Sequence, residues 1–320
     1  MTVSKDPASR AEALHDAREV PAPEAVRSLS LRVGDYLTLS KIRVNLLVLF
    51  VVAVGFFLGS EAVVDFPVLL ACLLGTALLG SGASALNQYI ERDTDLRMAR
   101  TEGRPLPRKN LRPFQALAFG LTCGILGVLI LALGNGALTS ILGATTFLSY
   151  TLVYTPLKRR SPHALFVGAV PGALPPLIGW AAATDALSAG AWAIFAILFI
   201  WQIPHFLAIA WLYREDYEAG GIPTFAGLDR EGGRSTGQLM LFTTTLLVLV
   251  SLSPLISPDQ GSVYCIGVLL LGILAIVPVQ SFVNEVRRGG DGNRAASWVV
   301  RASIIYLPLV FLLLVIDKIV

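Results

Sequence analysis

Charge is scarce in this sequence. Only 15% of its 320 residues are Asp, Glu, Lys or Arg, against 54% hydrophobic ones, and the mean hydropathy is +0.68, which excludes an ordinary soluble domain. Cysteine is scarce too. Cys72, Cys123 and Cys265 fall inside apolar runs with no C-x-x-C pair, which excludes a disulfide framework or a thiolate zinc site. There is no signal-peptide h-region and no convincing internal repeat. Residues 1–30 lack any apolar run and are expected to form a disordered cytoplasmic tail. Their acids, Asp6, Glu12, Asp16, Glu19 and Glu24, are foreign to a mitochondrial presequence, so the expected address is a bacterial inner membrane.

What is present is a succession of apolar runs of spanning length, at about 44–60, 66–90, 113–133, 136–155, 163–183, 190–213, 238–256, 262–283 and 297–316. The expected fold is therefore an all-α polytopic membrane protein of nine transmembrane helices, with residues 31–320 as one domain. Charge placement supports the count, because Lys and Arg collect in cytoplasmic loops. All 25 of them except Lys318 fall in the N-terminal region, in the loops after the second, fourth, sixth and eighth runs, or at the start of the ninth. The alternate loops have none. The N-terminus is then cytoplasmic and the C-terminus outside.

Against this background, Asn87–Arg112 is anomalous, with four acids and seven bases directly behind a spanning run. If the helix continues past Ile90, Asn87, Glu91 and Asp95 are spaced i, i+4, i+8 and share one face within about 80°. Three oxygen ligands in a stripe suit Mg²⁺, which is bound jointly by carboxylates and substrate phosphates. Asp93 points elsewhere, toward Arg92 or Arg97. Arg100 and Arg104 follow, and Lys158 and Arg159 of YTPLKRR end another helix at the same membrane face; such cations bind phosphate oxygens. A solvated helix end would carry similar charges, and the same bases satisfy the positive-inside rule.

The second unusual stretch is WQIPHFLAIAWLYREDYEAGGIP, residues 201–223. Polar groups at membrane depth need a reason. Continued as one helix, it brings Gln202, His205 and Asp216 within about 60°, with Tyr213 close by, so that they line one cavity. His205 is either a structural hydrogen bonder, a haem-iron ligand or a proton carrier. The fifth run, with Gly168, Gly172, Gly179, Pro171, Pro175 and Pro176, is expected to be broken or closely packed.

With NQYIERDTDLRMARTEGRPLP, YTPLKRR, GAVPGALPPLIGW and WQIPHFLAIAWLYREDYEAGGIP in this order, the chain from about Leu37 onward resembles the UbiA-type intramembrane prenyltransferases. Where the wider family has N-D-x-x-D-x-x-x-D, this chain has Asn87, Gln88, Glu91 and Asp95. A second Asp-rich motif is replaced by the PHF and YREDY segments, which leaves Asp216 as its candidate acid. Lys41-Ile42-Arg43 stands where Lys-Pro-Arg is usual, and Thr224-Phe225 where Met-Leu is commoner. The resemblance implies a bundle around a central cavity and transfer of a farnesyl group from farnesyl diphosphate to a vinyl group of haem B, a substrate here rather than a cofactor. It assigns Asn87, Glu91 and Asp95 to Mg²⁺ and, with Lys158 and Asp216, to catalysis. Arg100, Arg104, Arg159, Gln202, His205 and Tyr213 are assigned to substrate binding. Expected partners are the bilayer and a haem A synthase or oxidase assembly factors, with no nucleic acid. A quinone precursor or chlorophyllide is the alternative acceptor. An ion path along the acidic stripe is the distant alternative, and the missing repeat speaks against it.

Overall fold

The computed structural model describes residues 29–60, 64–253 and 261–319, so the tail expected over residues 1–30 lies, up to residue 28, outside the described residues. Among the described residues all regular structure is helical. A short α1 (Leu29–Leu39) leads into α2 (Ile42–Gly59), α3 (Phe66–Asp95), α4 (Pro113–Asn135), α5 (Ala137–Leu157), α6 (Ala164–Thr184) and α7 (Ala189–Leu212). Two short helices, α8 (Arg214–Ala219) and α9 (Phe225–Leu228), precede α10 (Arg234–Ser251), α11 (Ser262–Arg287) and α12 (Asn293–Ile319). Each of the nine apolar runs corresponds to one long helix. Among the described residues eight are long and apolar enough to cross a membrane. The remaining one, α10, is as long as α2 at 18 residues but opens on the polar turn Arg234-Ser235-Thr236-Gly237-Gln238.

Local chemistry explains the boundaries that matter for the site. Asp65 caps α3 by accepting the Val68 N–H at 3.2 Å, and Pro67 sits in its first turn. The helix then runs 30 residues, about 45 Å at 1.5 Å per residue. That exceeds the roughly 30 Å hydrocarbon layer, so the Asn87–Asp95 end projects to the membrane boundary. The break between α4 and α5 falls at Gly136, whose φ of 90° is open to glycine and strained for other residues.

Small residues bring the helices together. A Cβ on Gly82 of α3 would sit 2.7 Å from the Gly120 carbonyl of α4, and one on Gly127 would sit 2.8 Å from the Gly75 carbonyl. Gly55 and Gly179 likewise let α2 and α6 meet backbone to backbone at Pro176 and Val52. One apolar core, with Val52, Leu79, Leu131, Phe147 and Ile178, joins α2 to α6. Another, with Leu198, Trp201, Leu247, Tyr264 and Val310, joins α7 and α10 to α12. The two halves meet where Lys318 of α12 donates to the Phe57, Leu58 and Ser60 carbonyls at the end of α2. As its prolines require, α6 is interrupted at Leu174, between Ala173 and Pro175.

Close backbone contact is the consequence easiest to test. Gly179→Ala would drive a methyl group into the Val52 carbonyl, and backbone cannot move aside as a side chain does, so a loss of about 1–3 kcal/mol is expected. Gly34→Ala in α1, where nothing lies within 4 Å, is the control. Thermal unfolding in detergent should separate the two, and equal midpoints would refute the packing account.

Candidate functional site

The acidic stripe forms as the spacing predicts, because α3 stays helical through Asp95. Asn87, Glu91 and Asp95 are 3%, 1% and 0% exposed, so a solvated helix end does not describe them. Buried carboxylates need counter-charge, and each position meets a cation from a different segment. Lys41, between α1 and α2, donates from Nζ to Asn87 Oδ1 at 3.2 Å. Lys158, just past α5, straddles Glu91 with Nζ 3.1 Å from Oε1 and 3.4 Å from Oε2. Arg104, in the α3–α4 loop, reaches Asp95 Oδ2 at 2.7 Å. Asp95 Oδ1 is buried and has no hydrogen-bond partner. Asp93 pairs outward with Arg92 at 3.8 Å.

These cations respond differently to their surroundings. Burial pushes the Lys41 ammonium down to about 8, and the nearby Arg104 charge adds to the effect. Burial also works against the charge on Lys158, but the Glu91 carboxylate outweighs it and holds the ammonium above its ordinary range.

The end of α5 is shaped to deliver its residues. Ser149–Tyr154 is a π turn, a local widening common at functional sites. It carries Tyr150 and Tyr154, whose rings lie 5.2 Å apart. Directly after it, the Thr155 hydroxyl oxygen accepts the Asn87 Nδ2–H at 3.2 Å.

The 201–223 stretch is organised differently from the single amphipathic face expected of it. Helix α7 ends at Leu212, and a turn at Tyr213 leads into α8, so the wheel that grouped Gln202, His205 and Asp216 does not continue through all three. Gln202 donates to the Ala169 and Leu198 carbonyls, at 3.1 Å each, bracing the broken α6. His205 Nδ1 lies 2.7 Å from Ser303 Oγ of α12, and its ring stacks on Trp201 at 4.9 Å. Asp216 turns instead to the α3–α4 loop, where its two oxygens accept the Ala99 and Arg100 backbone N–H groups at 3.1 and 3.2 Å. Arg100 packs over the Tyr213 and Tyr217 rings, 5.2 and 5.4 Å from their centroids, and donates to the Tyr217 hydroxyl at 3.2 Å. Arg159 is exposed beside Lys158, outside the cluster.

Of the sequence-selected residues, the structure therefore assembles Asn87, Glu91, Asp95, Arg104 and Lys158 in one place. Arg100, Tyr213 and Asp216 form a clasp between the α3–α4 loop and the segment after α7, and Gln202 and His205 lie deeper among the helices. Lys41, Thr155 and Tyr217 are additions. All three lay within segments singled out for other reasons, Thr155 inside YTPLKRR, and nothing local to Thr155 announces its contact. Among the described residues no group of three or more His, Cys, Asp or Glu could hold a metal. A cation at the stripe would therefore depend on two acids, an amide oxygen and the substrate. A recess of about 430 Å³ lined by Ser281, Asn284, Glu285, Arg288 and Gly290 lies on a different helix end.

Glu91 and Lys158 depend on each other for burial. Lys158→Met strands a buried carboxylate and should cost about 3 kcal/mol, whereas Lys158→Met with Glu91→Gln should recover much of the thermal midpoint. If the double variant is no more stable than the single, the pairing carries no stability.

Comparison with known proteins agrees with this architecture. Residues 48–314 match the UbiA prenyltransferase family. A protein of Solibacter usitatus named protoheme IX farnesyltransferase is 40% identical over 296 residues, covering 89% of this chain and 98% of that one. Among solved structures, a digeranylgeranylglyceryl phosphate synthase superposes with a TM-score of 0.74 at 18% identity, over 90% of this chain and 98% of that one. A UbiA homologue from Archaeoglobus fulgidus bound to GPP and Mg²⁺ superposes with a TM-score of 0.59 at 16% identity, over 88% and 99% of the two chains.

Proposed function

The chain belongs to the UbiA prenyltransferase family, and from that premise we propose that it transfers a farnesyl group from farnesyl diphosphate to a vinyl group of haem B, making haem O. The observation that carries this reading is the 40% identity to a protoheme IX farnesyltransferase across nearly its whole length. The site chemistry is in keeping with it: buried acids ringed by Lys41, Arg104 and Lys158 suit a metal diphosphate better than they suit a neutral ligand.

The residues present fit a hard divalent cation. Asn87 Oδ1, Glu91 and Asp95 would hold it, and Asp95 Oδ1, buried without a partner, is a position such an ion would satisfy. When bound, Mg²⁺ supplies charge neutralisation at the diphosphate. Lys158, Arg104 and Lys41 are placed to exchange their acidic partners for phosphate oxygens, and Arg100, held by the Asp216 clasp, approaches from the loop side. As the allylic C–O bond breaks, its electrons leave with the diphosphate, which these cations stabilise. The haem vinyl carbon then bonds to C1 of the farnesyl cation. Water adds to the adjacent carbon and loses a proton, leaving a hydroxyethylfarnesyl side chain. The apolar helices exclude water until that last step.

The product stays in the bilayer, so a membrane-embedded haem A synthase or oxidase assembly factor is a suitable recipient. Membranes incubated with haem B and farnesyl diphosphate should yield haem O on pigment extraction and mass analysis, and Asp95→Asn at limiting Mg²⁺ should reduce turnover by about 100-fold or more. Near wild-type turnover by Asp95→Asn would refute the metal assignment, and prenylation of a quinone precursor instead of haem would refute the acceptor.

Cytoplasmic handling of diphosphate also requires the α3–α4 loop to face inward, in a bacterial inner membrane with the N-terminus cytoplasmic and the C-terminus outside. An alkaline phosphatase fused after Val320 should be active and one fused within Arg108–Arg112 inactive. The reverse pattern would overturn the orientation.

A further inference from the structure

The two ends of the Asn87 side chain have the same shape and opposite chemistry, and the structure contains a device that tells them apart. A lysine ammonium only donates, so the atom facing Lys41 Nζ at 3.2 Å is the amide oxygen. At the other end stands Thr155 Oγ1, 3.2 Å from Nδ2. The Thr155 hydroxyl proton is already committed to the Tyr150 carbonyl at 2.8 Å, which leaves an oxygen lone pair for the Asn87 N–H. All three groups act in one sense. The amide is held with its oxygen toward the cationic side of the stripe and its NH₂ toward α5.

Thr155 reaches this position through the π turn. Its backbone N–H bonds to the Tyr150 carbonyl five residues back, as does its hydroxyl. The residue is fully buried, so water cannot substitute for the hydroxyl.

We propose that Thr155 is a positioning residue for the transfer reaction: by accepting the Asn87 N–H it presents the Asn87 oxygen to the divalent cation of the prenyl diphosphate. This rests on the prenyltransferase reading above. Without the hydroxyl, Nδ2 would be a buried donor lacking a partner, and a rotated amide would direct its NH₂ at the metal position.

Thr155→Val keeps the shape and removes the hydroxyl, and Thr155→Ser keeps the hydroxyl. The full-length protein in detergent is titrated with Mg²⁺ in the presence of inorganic diphosphate by calorimetry, and farnesyl transfer is measured across the same Mg²⁺ range. Thr155→Val should raise the half-saturating Mg²⁺ about tenfold, with kcat recovered at saturating metal, while Thr155→Ser stays within about twofold of wild type. In an Asn87→Asp background, where both ends are oxygen, Thr155→Val should add less than about twofold. Equal losses in both backgrounds, a Ser variant as impaired as Val, or an unchanged Mg²⁺ requirement would each overturn the proposal. Thr155→Ala replaces Val on the same criteria if thermal unfolding shows that Val does not fold. A wild-type protein that binds Mg²⁺ and diphosphate but yields no haem O would sink the acceptor assignment and leave the positioning result intact.

Discussion

Burying two carboxylates at the edge of a membrane carries a large desolvation cost, and much of this end of the bundle is built around offsetting it. Glu91 and Asp95 are held buried because Lys158 and Arg104 meet them, and Asn87 because Lys41 and Thr155 take its two ends. Those partners come from the α1–α2 junction, the α3–α4 loop and the end of α5. Pairing the stripe therefore ties together three segments that are distant in sequence, and the same charges that offset the buried acids are the ones a metal diphosphate would use.

Backbone irregularity does the placing. The π turn in α5 shifts the register so that Thr155 and Lys158 fall opposite α3. The interruption of α6 at Leu174 bends the helix inside the bundle, and Gln202 of α7 ties the two helices by donating to the Ala169 carbonyl. The stop of α7 at Leu212 releases Asp216 to cap the α3–α4 loop at Ala99 and Arg100. In each case a regular helix would have pointed a functional group elsewhere. The glycine contacts between α3 and α4 and between α2 and α6 then keep the helices near enough for these short side chains to reach one another.

The spans and the acidic stripe were legible in the sequence because they obey periodicities of one helix: length against bilayer thickness, and i, i+4 spacing on a face. The grouping of Gln202, His205 and Asp216 failed for the same reason, since it extended one period across a turn at Tyr213 that the pattern of apolar residues did not mark. The bases near Asn87 were ambiguous, because positive-inside topology and phosphate binding call for the same residues. Exposure resolves part of this: Arg104 and Lys158 turn in to the acids, and Arg159 turns out.

Sequence alone determined that this is a multi-span helical protein, which helix end carries the acids, and which family it resembles, since composition and local spacing carry that information without knowledge of neighbours. Only the tertiary structure decided which cation meets which acid, that Asp216 clasps a loop, and that Thr155 orients Asn87. Those are contacts between segments up to 117 residues apart, and they depend on helix register, a π turn and a broken helix, which no local pattern encodes.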